Sequence, residues 1–218
     1  GTLYFCTMNK MQKIFTHRFG PLIVLAIIVC ALNFIIRLTL LIKSWTDVEL
    51  SFLSFLGIFI VGLFYDLVVW SFFAIPVAFY CWLMKDSWYK KKWGLIPLFI
   101  LFSILILILV FSAGGEIVFW DEFNVRYNFI AVDYLIYTTE VINNIIESYN
   151  MPLIIGSVLL VVFFVVFLIR KKIVLSQQQS YRFKKRTIAF FIFMLLPTAG
   201  YFLVNNWYKN FSQNNYVN

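Results

Sequence analysis

The sequence predicts an all-α integral membrane protein: five transmembrane helices, plus an amphipathic external surface helix between the third and fourth. Three observations carry this. Of 218 residues, 62% are hydrophobic and only 13% charged, more apolar surface than a soluble domain of this length can hide. Apolar runs recur that are long enough to cross the roughly 30 Å hydrocarbon core as helices. They are continuous, whereas barrel strands would alternate. Finally, lysine and arginine gather in alternate connections, the mark of loops retained on one side of a membrane.

Gly1 to Thr7, ahead of Met8, are read as a remnant outside the fold. The five-helix domain is expected over 8–204. After a basic lead-in, residues 20–42 form the first span, too long for a signal-peptide core and without a small-residue cleavage site. Arg37 lies in its last turns. A short, slightly acidic turn leads to a second apolar segment, 52–84, which exceeds one untilted crossing. Asp66 sits inside it, and Pro76 should kink it or end a regular stretch. Lys85 to Trp93 (KDSWYKKKW) is a basic, tryptophan-bearing anchor. The third span is 94–113, closed by Gly114–Gly115 as a helix C-cap and turn. An external loop follows over 114–151. The fourth span is 152–169, and the strongly basic RKKIVLSQQQSYRFKKR comes next. The fifth, 187–204, is interrupted by Pro197 and Gly200, and 205–218 is a polar external linker.

With five crossings, 14 of the 18 Lys and Arg fall on one side. The positive-inside rule then puts the N-terminus in the cytoplasm and the C-terminus outside. The net charge of +8 is thereby explained by topology and anionic lipid, not by nucleic acid.

The loop over 114–151 has the opposite sign. It carries Glu116, Asp121, Glu122, Asp133, Glu140 and Glu147 against one cation, Arg126. Drawn as a helix from Asn128 to Tyr149, it places Glu140, Asn144 and Glu147 within about 40° of Asp133. Leu135, Thr138, Ile142, Ile146 and Tyr149 fall opposite. Such a helix is too polar to span and suited to lie along the outer surface. Its acidic face is either simply solvated or a docking surface, and Arg126 could meet an anionic headgroup.

Little else offers chemistry. Cys6, Cys30 and Cys81 are scattered, and His17 is the only histidine. No catalytic triad, zinc-protease or phosphate-loop motif occurs. Trp70, Trp82, Trp88 and Trp93 suit packing and the interfacial belt. Inside the spans the ionisable residues are Arg37 and Asp66. A lone carboxylate there is costly unless paired or protonated, so Arg37 is the partner to test. The pair could hold two helices in register or contact a lipid substrate.

FWDEFNVRYNFIAVDYLIYTTEVINNIIESYNMP, from Phe119 to Pro152, resembles the segment between the third and fourth spans of the lipoteichoic acid synthase-like, sulfatase-type phosphotransferases. These belong to the alkaline phosphatase superfamily, and the likeness is strongest to their bacterial phosphoglycerol transferase branch. GLFYDLVVWSFFAIP, from Gly62 to Pro76, is similar to that family's second span, and Arg37 also suits it. The resemblance covers nearly all of 10–218.

It implies the N-terminal transmembrane domain of a multi-pass protein of the bacterial cytoplasmic (inner) membrane. That domain would anchor an external phosphatase-like domain and help present the lipid substrate of a phosphoglycerol, or phosphoethanolamine, transferase. The threonine nucleophile and the ligands of a divalent metal, Mn or Mg, belong to that external domain. This chain is therefore expected to hold no catalytic residue, metal or cofactor, and to be inactive alone. Its expected partners are an anionic glycerophospholipid and its own external domain. The candidate contacts with either are Arg37, Asp66, Glu116, Trp120, Asp121, Glu122, Arg126, Asp133 and Glu140. Two other readings stay open: a catalytically empty membrane protein acting through a partner, and a small transporter using Asp66 and Arg37.

Overall fold

The computed structural model describes residues 14–45, 51–126, 143, 146, 147 and 149–214, with side chains described through 205. All regular structure among them is helical: α1 (Gly20–Lys43), α2 (Phe52–Phe73), α3 (Ile75–Leu83), α4 (Asp86–Tyr89), α5 (Lys92–Phe123), α6 (Met151–Leu175) and α7 (Phe183–Asn214). Five of these, α1, α2, α5, α6 and α7, are long and apolar enough to cross a membrane. The chain is thus a multi-pass membrane protein by length and composition of its helices.

Local chemistry sets several helix ends. Pro21 opens α1 and Pro152 opens α6, positions where the missing N–H costs nothing. The Ser51 hydroxyl accepts the Ser54 N–H at 3.1 Å at the start of α2. The Asn150 side chain does the same for Leu153 at 3.3 Å. These are N-caps that satisfy otherwise orphaned donors. The long second segment breaks at Ala74, and Pro76 sits in the first turn of α3, in keeping with its fixed φ and absent donor.

Three boundaries differ from the sequence expectation. Gly114–Gly115 is no turn, because α5 runs through both to Phe123. Glycine costs a helix only about 1 kcal/mol relative to alanine, and the strongly helical neighbours outweigh that. The real stop is Asn124, left-handed at φ 53°, as asparagine tolerates. At 32 residues and 1.5 Å per residue, α5 is roughly 48 Å long. It therefore carries Glu116 to Phe123 beyond a 30 Å core. Likewise α7 passes Pro197 and Gly200 without interruption. At Gly200 an added Cβ would lie 3.1 Å from Val68, so the glycine lets α7 approach α2 closely. The backbone of α7 also continues to Asn214, through the expected linker. Finally, α6 extends to Leu175, taking Arg170 to Lys172 into the helix.

Helix α1 is central. It packs against α2 and α3 on one side and against α5 and α6 on the other, while α7 lies outside against α2 and α3. The fully buried apolar residues (Leu25, Val29, Val77, Leu98, Ile106, Ile173) concentrate in the half nearest the basic connections.

At that basic end the polar groups form a dense network. Arg18 donates to the carbonyl oxygens of Cys81, at 2.6 Å, and Met84, and to Asp86. Arg186 donates to the same Met84 carbonyl. The two cations thus meet the C-terminal carbonyls of α3, where the helix dipole favours positive charge. Asp86 also accepts the Tyr181 N–H at 3.1 Å. Tyr89 and Ser176 share a hydrogen bond of 2.7 Å, and burial pushes the Tyr89 phenol above its ordinary pKa. Gln179 donates to the Thr16 hydroxyl at 3.0 Å. This knot ties the segment before α1 to the connections α3–α5 and α6–α7. The opposite, acidic end is less filled.

Candidate functional site

Arg37 and Asp66 pair directly. One guanidinium nitrogen, Nη2, donates to both carboxylate oxygens at 3.0 Å, and the two side chains are only 8% and 7% exposed. Their depths along the chain differ, but helix direction closes the gap. Side chains lean towards their helix's N-terminus. The start of α1 is at the basic end and the start of α2 at the acidic end, so Arg37 and Asp66 lean towards each other.

Gly62 completes the arrangement. It lies one turn from Asp66 on the same face of α2, and a Cβ built on it would overlap the Arg37 guanidinium. Only a glycine leaves the arginine this path. The Gly-x-x-x-Asp spacing in GLFYD is the signal that could have predicted it.

The pair floors a cleft of about 630 Å³ between α1, α2 and α5. Glu116, Trp120 and Arg126 line the same cleft. Glu116 is buried on α5 and accepts from Arg126 Nε at 2.5 Å. The left-handed turn at Asn124 is what brings Arg126 back over Glu116. The sequence also left Asn33, Tyr65 and Ser112 unremarked, and all three line the cleft. Asn33 lies one turn before Arg37 on α1, so helical spacing from Arg37 would have found it.

Five expected site residues thus converge: Arg37, Asp66, Glu116, Trp120 and Arg126. Asp121 stands apart at the surface, paired with Lys43 at 2.5 Å. The two are 56% and 36% exposed, so the link is worth at most about 1 kcal/mol. Glu122 is exposed and outside the cleft. Asp133 and Glu140, with nearly all of the expected surface helix over Asn128 to Tyr149, lie outside the described residues. Of that helix, the described Asn143, Ile146 and Glu147 are all three helical and exposed.

No protein-family model, curated protein or solved structure matches this chain. Its chemistry therefore has to be read from the cleft. Two guanidiniums and two carboxylates sit beside an indole at the edge of an apolar span. The arginines are suited to phosphate oxygens, which match their fork of donors. The carboxylates are suited to hydroxyl or ammonium donors. Among the described residues no three His, Cys, Asp or Glu side chains converge. The divalent ion implied by the resemblance has no donor set in them.

Proposed function

We propose that this chain is the membrane domain of a bacterial cell-envelope transferase that moves a phosphoglycerol, or phosphoethanolamine, group. In this reading it anchors an external sulfatase- or alkaline-phosphatase-like domain. It also presents a glycerophospholipid headgroup from the cleft between α1, α2 and α5. The basic end faces the cytoplasm and the cleft opens outside.

One observation carries the reading: the cleft joins phosphate-type donors to hydroxyl-type acceptors, and does so at the end of the bundle that lacks the basic loops. A lipid could place its phosphate against Arg126 and Arg37, its headgroup hydroxyls against Glu116, and its acyl chains along the exposed apolar faces of α2 and α5. The acidic segment after Arg126 would serve as the platform under the external domain. The resemblance of Phe119–Pro152 and Gly62–Pro76 to the sulfatase-type transferases supports the choice of reaction.

Lipid binding tests it. The purified chain is loaded with phosphatidylglycerol, and retained lipid is counted by native mass spectrometry. Arg126 is half exposed but Glu116 beneath it is buried, so Arg126→Gln is combined with Glu116→Gln to leave no buried charge unpaired. This double variant should lose the bound lipid while unfolding within about 4 °C of wild type. Unchanged occupancy in that variant sinks the headgroup site. The gene tests the rest independently. A phosphatase-like domain encoded after codon 218 supports the transferase reading, and a stop codon there favours a membrane protein acting through a partner.

A further inference from the structure

A second cleft, of about 860 Å³, lies at the basic end. Its walls are apolar side chains of α3 and α5, among them Phe79, Leu83, Ile100 and Ile104. All four are substantially exposed, so the groove opens sideways to whatever surrounds the helices, which is lipid in a membrane. Lys85 and Trp88 line its mouth.

The groove's charge is what singles it out. Asp86 is the one carboxylate of the described basic end, and it is already taken by Arg18, Arg186 and the Tyr181 N–H. Lys85 is exposed and forms no ion pair among the described residues. Trp88 is 61% exposed and its indole N–H has no hydrogen-bond partner among the described residues. Lys90 and Lys91 follow in the same connection, and Lys92 opens α5. An open apolar groove thus ends at a free ammonium and a free indole donor, at the level where tryptophan and lysine meet headgroups. The carboxylates that crowd the other cleft are absent here.

We propose that this groove holds one anionic glycerophospholipid of the leaflet at the basic end, with an acyl chain between α3 and α5 and its phosphate on Lys85 and Trp88. The site is separate from the cleft at Arg37 and does not depend on the transferase reading. The ammonium supplies the preference for negative headgroups. Neutral lipids with the same chains gain only the groove. Because Lys85 directly follows the Met84 carbonyl that Arg18 and Arg186 grip, a bound lipid would brace the bend between α3 and α5.

Bromine quenching of Trp88 tests it on the full chain in detergent. Lipids brominated near the headgroup end of one chain are titrated in, and the Trp88 emission is taken as wild type minus Trp88→Phe. Emission from the other tryptophans reports that the variant is folded. Phosphatidylglycerol should quench the Trp88 component saturably, at mole fractions where phosphatidylcholine does not. Lys85→Ala should raise the half-quenching fraction about fivefold, the equivalent of about 1 kcal/mol for one lysine near an anionic lipid. Ile104→Phe, which fills the groove, should weaken quenching by phosphatidylglycerol without touching the ammonium. Equal quenching by the two lipids overturns the proposal, since it marks ordinary solvation of the helix surface. So does a Lys85→Ala curve that overlies the wild type.

Discussion

Removing one member of the Arg37–Asp66 pair should cost far more than removing both. Asp66→Asn leaves a guanidinium that is 8% exposed facing an amide, and Arg37→Gln leaves a carboxylate that is 7% exposed without its cation. An unpaired buried charge of this kind costs about 3–5 kcal/mol. At roughly 2–4 °C per kcal/mol for a chain of this size, each single variant should unfold about 6–20 °C below wild type. The double variant buries no charge, and its two amides can still hydrogen-bond across the same gap. It should lose only about 1 kcal/mol. The coupling is then about 5–9 kcal/mol, beyond the ~0.5–3 kcal/mol usual for contacting residues, because each single variant strands a buried charge. Thermal unfolding of the four proteins in one detergent, followed by helical circular dichroism, measures it. Losses that simply add, or single variants within about 2 °C of wild type, would refute a direct buried pair.

The other predictions test the surroundings of that pair and the two ends of the bundle. Gly62→Ala should destabilise by displacing the guanidinium, yet become neutral or favourable in the Arg37→Gln background, where alanine keeps only its helix preference of about 1 kcal/mol; the same melts read it. Gly114→Ala should stabilise by about 0.5–1 kcal/mol, because the position is mid-helix and nothing lies within 4 Å of an added Cβ. A loss there would contradict a continuous α5. Burial lowers the His17 pKa below its ordinary 6.5, and its Nδ1 accepts the Phe19 N–H at 3.2 Å. The folded state therefore disfavours the protonated ring, so stability is full above pH 6.5 and falls as pH drops below it. His17→Asn, which keeps an acceptor but cannot titrate, should flatten that part of the melting profile. An unchanged slope would exclude His17 as its source.

The spans could be read from sequence because lipid demands continuous apolar runs, and this chain supplies five. Arg37 and Asp66 are legible as the pair to test, because the spans hold few charges and a lone one is costly there, but their direct contact is not, since it depends on how α1 and α2 pack. What escaped was set by geometry between elements. Gly114–Gly115 looked like a stop because glycine is a weak helix former, yet propensity yields to neighbours that are strongly helical and anchored. The link from Arg126 to Glu116 depends on one left-handed residue, Asn124, and ordinary sequence patterns do not mark such a turn. In the sequence Gly62 reads only as part of the GLFYD motif. Its reason, room for a guanidinium arriving from another helix, is invisible until α1 and α2 are packed. Pro197 is tolerated inside α7, as in other membrane helices where neighbours offset a lost backbone bond.

The central claim is that the paired-charge cleft opens outside the cell while the basic knot faces the cytoplasm. Single cysteines test it in a background with Cys6, Cys30 and Cys81 replaced by alanine. Glu122→Cys, exposed beside the cleft, should react with a membrane-impermeant maleimide on intact cells, and Lys184→Cys should react only after permeabilisation. The reverse pattern, or labelling of both from outside, would contradict the account.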